Sequence, residues 1–254
     1  MENKIPNILH FVFGLKEQDT EFLFCYYLAI YSASKYNNPE KIYFYYHFIP
    51  FGKWWDKVLE IPNLILEKVD IPTHIGNKPI KFLAHKADKV RMDKLFERGG
   101  VYLDIDTISV KSYNHLLENE VVLGLQKPYV GICNAVMFTK PKTEFFKIWL
   151  DNYNNAFKTN GWNESSIDLP YKLSKQYPKL LTVVDEEYFF TPSYNETHKI
   201  FNTDNYVSEK LVTLHLWEKL SIKYINYIND WSWAHSHPNT LYGKIMLKIE
   251  NDFK

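Results

Sequence analysis

A chain of 254 residues is close to the size at which a single hydrophobic core stops growing, so one α/β domain with a small appendage is expected and two independent domains are not. Lys plus Arg and Asp plus Glu stand at 30 each, which leaves no net field to draw the chain to nucleic acid or to acidic lipid. Seven Trp, 19 Tyr and 17 Phe are enough for a large core, with rings to spare for a cleft that holds sugars or bases. The two cysteines, Cys25 and Cys133, are too few for a disulfide framework and point to a reducing compartment. The start Glu2-Asn3-Lys4 is polar, and His10 interrupts the apolar stretch Ile8 to Phe13, so the continuous core of a signal peptide is missing. The longest apolar run, Phe22 to Tyr31, is ten residues, about half of the ~20 that span a bilayer. No integral membrane segment is expected.

In chain order, Ile5 to Phe13 reads as a buried strand ending at Gly14, and Phe22 to Tyr36 as a helix. A second strand, Lys41 to Phe48, follows the turn signal Asn37-Asn38-Pro39. After a short Trp54-Trp55 segment, Leu64 to Ile71 forms a third strand that stops at Pro72. This alternation predicts βαβ units and a mainly parallel sheet. Phe82 to Arg98 is predicted as a helix with Leu83, Ala87, Val90 and Leu95 on one stripe, ended by Gly99-Gly100. Val101 to Val110 is predicted as a strand, followed by strands at Val121 to Leu125 and Ala135 to Thr139 and a helix over Lys142 to Phe157. After Gly161 the periodicity loosens. The last stretch, through Lys244, Ile245, Lys248 and Ile249, predicts a capping helix, with peripheral membrane contact as the weaker alternative.

Side chains alternate along a strand, so Tyr102, Asp104 and Asp106 are expected on one face, with the two carboxylates about 7 Å apart. Carboxylates on an apolar strand must meet water, a cation or basic side chains. A hard divalent ion with a diphosphate satisfies them, since magnesium and manganese prefer carboxylate oxygens. The plain alternative is a solvated edge strand. The helix, the Gly-Gly stop and the strand that delivers both acids near its C-terminal end favour a ligand site, because ligands of open α/β sheets bind there. Asp88 and Arg91, spaced i, i+3, share a helix face; taken alone they would be a surface ion pair. Asn134 leads a strand, as a sugar contact or a turn residue.

The block His85-Lys86-Ala87-Asp88-Lys89-Val90-Arg91, Leu95, Gly99-Gly100-Val101-Tyr102-Leu103-Asp104-Ile105-Asp106, with the opening Ile5-Pro6-Asn7-Ile8-Leu9-His10, resembles glycosyltransferase family 32 and its α1,4-glycosyltransferase relatives, which carry the Asp-x-Asp sugar-binding region. Asn134-Ala135-Val136-Met137 and His215-Leu216-Trp217-Glu218-Lys219 are similar to the family's later landmarks. The resemblance implies a GT-A fold over residues 1–254, with a donor-binding half to about residue 140 and an acceptor-side, closing segment beyond it. It also implies a uridine-diphosphate sugar as donor, manganese or magnesium as cofactor, and retention of anomeric configuration. By the same resemblance Asp88 and Arg91 hold the donor sugar and phosphates and Tyr102 frames the nucleotide. Asp106 is then the direct metal ligand, Asp104 serves ion and ribose, and His215 is the third ligand. Trp217 closes over the substrate, with Trp231 and Trp233 as further candidates, and the His10, Phe11 and Phe13 segment lies by the uridine. His235 and His237 are the rival metal ligands.

Two other readings stand beside this one. Asp104-Ile105-Asp106-Thr107 also resembles the motif of haloacid-dehalogenase-type phosphatases, with Asp104 as nucleophile, although Ile108 departs from that motif. A non-catalytic sugar-nucleotide-binding module would use the same aromatic and polar residues. The transferase reading expects a glycan or glycolipid acceptor and a cytoplasmic chain, peripheral to the inner membrane face at most. Asp185, Glu186 and Glu187 cluster after an apolar strand and are the other acids considered as a nucleophile.

Overall fold

The structure, a computed structural model, describes residues 4–202 and 208–253; Glu2 and Asn3 of the polar start lie outside them. The expected alternation holds at the beginning of the chain. Strand β1 (Ile8–Val12) leads through α1 (Phe24–Asn37) to β2 (Lys41–Tyr46), and α2 (Lys53–Leu59) leads to β3 (Leu64–Lys68). A small hairpin, β4 (His74–Ile75) and β5 (Lys78–Pro79), precedes α3 (Leu83–Arg98), which runs into β6 (Gly100–Leu103). Next come β7 (Thr107–Ser109), β8 (Val121–Gln126), β9 (Gly131–Thr139) and α4 (Glu144–Ala156). A π turn at Glu164–Asp168 then opens into α5 (Leu169–Gln176), which leads to β10 (Thr182–Val184) and α6 (His198–Phe201). The described chain closes with β11 (Thr213–His215), α7 (Glu218–Ile225), α8 (Ser232–Ser236) and α9 (Leu241–Phe253).

Seven strands form one sheet in the order β10-β8-β9-β6-β1-β2-β3. β9 runs antiparallel to both neighbours and every other adjacent pair is parallel, so the mainly parallel sheet is observed with one reversed strand. Apolar side chains of β1 split by alternation. Leu9 and Phe11 enter a core beneath α1 and α9, while Val12 enters a second core beneath α3 and α4. The predicted tail helix buries Ile245 and Ile249 in the first of these cores, so it is a capping element of the fold.

Two expectations change. The strand predicted over Val101 to Val110 is broken: the chain turns at Asp104–Asp106, with the Thr107 N–H donating to the Asp104 carbonyl at 2.9 Å, and β7 then pairs with β11 outside the main sheet. The stripe predicted on α3 holds in part: Val90 and Leu95 are buried and Ala87 packs against them, but Leu83 is exposed, and His85, Asp88, Arg91 and Met92 join the buried face. A helix that buries a row of polar side chains must supply each with a partner. That row points to the candidate site.

Gly99 and Gly100 end α3 and start β6, both with positive φ (65° and 110°). A Cβ on Gly100 would lie 2.5 Å from the Ile8 carbonyl oxygen and 2.8 Å from His10 Nε2, so only glycine lets β6 settle against β1. His10 itself is fully buried. Its Nε2–H donates to the Gly99 carbonyl (2.8 Å) and its Nδ1 accepts from the Tyr45 hydroxyl (2.8 Å), which in turn accepts from Arg98 (3.1 Å). Burial pushes this imidazole down from 6.5 to about 4.

Between those two values the unfolded chain takes up a proton that the folded chain refuses, so the stability His10 contributes is lost as pH falls from about 6.5 to 4. In urea denaturation the stability gap between the protein and a His10→Gln variant should narrow over this window by on the order of 3 kcal/mol. A gap independent of pH would contradict the neutral, doubly bonded imidazole.

Candidate active site

The site is built where β6 ends. Its turn carries Asp104 and Asp106, and the strand that follows, β7, pairs antiparallel with β11 so that Thr107 faces His215. The Leu216 N–H donates to the Asp106 carbonyl (2.9 Å), and the Glu218 N–H at the start of α7 donates to Asp106 Oδ2 (2.7 Å). This draws His215 Nε2 to 3.3 Å from Asp106 Oδ1. One ligand atom from each of Asp104, Asp106 and His215 falls within 4.8 Å of the others, and among the described residues this is the one group of three or more such side chains arranged to hold a metal ion. The turn thus brings the two acids closer than the 7 Å of an unbroken strand.

Asp104 is fixed from the other side. Its Oδ1 accepts from the Tyr102 hydroxyl (2.6 Å) and lies 3.0 Å from Arg91 Nη2. Arg91 also donates through Nη1 to the Asn134 carbonyl (2.9 Å), approaches Asp88 Oδ1 at 3.6 Å, and lies over the Tyr102 ring at 4.4 Å. The Asn134 amide donates to Asp88 Oδ1 (2.8 Å). Asn134 reaches α3 because β9 bulges there: Leu123 faces Met137 but Gly124 faces Cys133, which leaves Asn134 to Val136 extra on β9. Asn134 is therefore mid-strand and buried, not a turn residue at the head of a strand.

Three carboxylates and one guanidinium in a mostly buried cluster leave an excess of negative charge, and His215 offsets part of it. Burial works to raise Asp106, but the charge and hydrogen bond of His215 outweigh it and hold this carboxyl below the usual range. Burial likewise works to lower His215, and Asp106 overcomes it and holds the imidazole above its usual range. Asp104 is raised, by burial first, against the pull of Arg91. Its side chain is 25% exposed, so it opens the cluster to solvent. His215 Nδ1 is buried with no hydrogen-bond partner, and its ring lies 4.0 Å from that of Trp217.

Asp88, Arg91, Tyr102, Asp104, Asp106, Asn134, His215 and Trp217 therefore come together, in line with the expectation. Other expected residues do not offer a free surface. His10 is enclosed with both nitrogens engaged, Phe11 is core, and Phe13 alone of that stretch is half-buried, packed with Phe22 and Tyr26. The Tyr102 ring is buried under Arg91, so it supports the acids instead of framing a nucleotide with its face. Trp231 packs on Phe24, Trp233 stacks on His237, and His235 pairs with Glu250 at 2.8 Å, all outside the cluster. The Glu218 amide and Tyr26, whose hydroxyl donates to Glu218 Oε1 (2.8 Å), had no local signal in the sequence, since a backbone amide and a helix tyrosine look alike everywhere.

A family model described as the glycosyltransferase sugar-binding region containing the DXD motif matches residues 32–123. Glucan organizing enzyme 1 of Cryptococcus neoformans is 31% identical over 247 residues, or 90% of this chain and 66% of that protein. The chain belongs to the DXD-containing, family 32 type of glycosyltransferases. It spans about two thirds of the length of that relative. Among solved structures, the apo form of glycosyltransferase GlyE of Streptococcus pneumoniae matches with a TM-score of 0.53 at 16% identity, over 97% of this chain and 64% of that one. The galactosyltransferase LgtC, in complex with donor and acceptor sugar analogs, matches with a TM-score of 0.51 at 13% identity, over 96% and 95%. The fold is GT-A. Membership of this glycosyltransferase family removes the phosphatase reading of Asp104, and no helix among the described residues is long and apolar enough to cross a membrane.

Replacing Arg91 with Ala leaves Asp104, Asp88 and the Asn134 carbonyl without their shared cation, and urea denaturation should show a loss of about 3–5 kcal/mol. Arg91→Lys should recover little of it, because a compact ammonium lacks the planar fork that reaches Asp104 and the Asn134 carbonyl from separate nitrogens while stacking on Tyr102. Full recovery by Lys would show that charge alone matters.

Proposed function

We propose that this glycosyltransferase moves a hexose or N-acetylhexosamine from a uridine-diphosphate sugar to a glycan hydroxyl with retention of configuration, using manganese or magnesium. The carrying observation is the meeting of Asp104, Asp106 and His215 within 4.8 Å. Two carboxylates and an imidazole are a suitable donor set for such an ion, and the Nδ1 of His215 has no hydrogen-bond partner in the protein to compete for it. A bound divalent ion supplies positive charge to the diphosphate leaving group.

The chain's own residues then divide the remaining work. Arg91 neutralises the acids around it and holds Asp104 through one oxygen, leaving Asp104 Oδ2 toward the ion and ribose. Asp88 and Asn134 offer a carboxylate and an amide to the hydroxyls of the donor sugar. Phe13, just after β1, is the ring closest in kind to a base platform, and Trp217 covers His215 from the side of α7. Asp185 and Glu187 are drawn to Lys210, and Glu186 to Lys127, so this acidic cluster is surface ion pairing and takes no nucleophilic role. In a front-face reaction none is needed: the bond from the anomeric carbon to the diphosphate breaks as the acceptor oxygen bonds on the same face, and its proton passes to a diphosphate oxygen. Both cysteines are free and buried, which supports a cytoplasmic setting, with a soluble or lipid-linked glycan of surface polysaccharide synthesis as the acceptor.

Screened against uridine-diphosphate sugars, the protein should release uridine diphosphate only with manganese or magnesium and stop on chelation. Asp106→Asn, checked for folding by circular dichroism, should lower turnover by about 10² to 10³-fold. An inverted anomeric configuration in the product, read by NMR, would sink the retaining mechanism. Failure to turn over any donor with any ion would make the chain a binding module.

A further inference from the structure

Six of the seven tryptophans belong to the two apolar cores or pack against them; Trp162 does not, and it is 48% exposed. Such a large ring left in solvent has an unused apolar face. It stands in a cluster with Phe82, 37% exposed, at 5.6 Å, and with His85 at 5.8 Å. Lys219 places its ammonium 5.0 Å from the Trp162 ring centre. His85 is 2% exposed, and its Nδ1 has no hydrogen-bond partner. These residues also tie the ring to both walls of the active site. His85 lies about one helical turn before Asp88 on α3, and Lys219 follows Glu218, whose amide holds Asp106.

We propose that Trp162, with Phe82 and Lys219, is the platform on which a pyranose ring of the glycan acceptor rests, a site that builds on the transferase reading above. A pyranose has an apolar C–H face and a rim of hydroxyls. The electron-rich face of an indole attracts the polarised C–H groups, while an ammonium on a flexible four-carbon stem reaches the rim. In the transferase reading the donor sugar has a different place, beside the buried cluster of Asp88, Arg91 and Asn134. Trp162 is open to solvent between His85 of α3 and Lys219 of α7, the two helices that carry or hold the site's acids, so a second sugar can reach it.

Saturation-transfer NMR with methyl α- and β-glucosides, galactosides and mannosides, and with maltotriose, tests this without requiring turnover. The protein should bind at least one probe, Trp162→Ala should weaken that binding about tenfold, and Trp162→Phe should restore most of it. Asp106→Asn should leave it unchanged, which separates the platform from the metal-dependent reaction. Manganese with uridine-diphosphate glucose or galactose should not displace the probe. No binding of any probe, binding unaltered in Trp162→Ala, or displacement by the nucleotide sugar would each overturn the platform, whatever the outcome of the turnover screen.

Discussion

Asp106 is held twice by a segment more than a hundred residues further along the chain. Its carbonyl takes the Leu216 N–H and its carboxylate the Glu218 N–H, on either side of Trp217, which adopts a left-handed conformation. This pairing fixes the turn that ends β6, starts the short β7–β11 ladder, and sets His215 against Asp106. A left-handed backbone is unfavourable for a large side chain. Here it is stabilised by the Trp217 indole N–H bonded to the Pro192 carbonyl (3.0 Å) and by packing on His215 and Phe190. The ligand cluster therefore exists only in the folded chain, where a turn and a distant strand meet.

The electrostatics follow from that assembly. Asp88, Asp104 and Asp106 cannot remain ionised together in a buried place without compensation. Arg91 answers the first two and His215 the third. The compensation is incomplete on one side: Asp104 keeps an oxygen toward solvent, and the imidazole has a nitrogen with no partner. Tyr102, Arg91 and the Glu218 amide fix the orientation of the two carboxylates, so little reordering of these acids would oppose a cation bound between them.

How much of this is legible in the sequence depends on the range of the forces involved. The helix over 83–98 and its Gly-Gly stop are legible because caps and positive-φ positions are local properties. The pairing of Asp88 with Arg91 is legible from helical spacing. The break after Leu103 is not, because Tyr102 to Ile108 alternates as a strand does, and the turn is imposed by β11 from the far end of the chain. The fate of His10 is hidden for a similar reason: its partners are Tyr45 and the Gly99 carbonyl, residues that only the parallel sheet brings together. Beyond Gly161 the local pattern is weak because, before α9, the chain there forms a π turn and elements of eight residues or fewer, too short to show a period, although apolar residues of most of them enter the first core.

The central claim is that Asp104, Asp106 and His215 jointly hold a divalent ion next to the donor diphosphate. A crystal structure grown with manganese and uridine diphosphate, with data collected for the anomalous signal of manganese, tests it most directly. The account predicts one anomalous peak within ligand distance of all three side chains and of the diphosphate, about 2.0–2.3 Å from each ligand atom. A peak elsewhere, or one from which His215 stays turned away in its pair with Asp106, would contradict it.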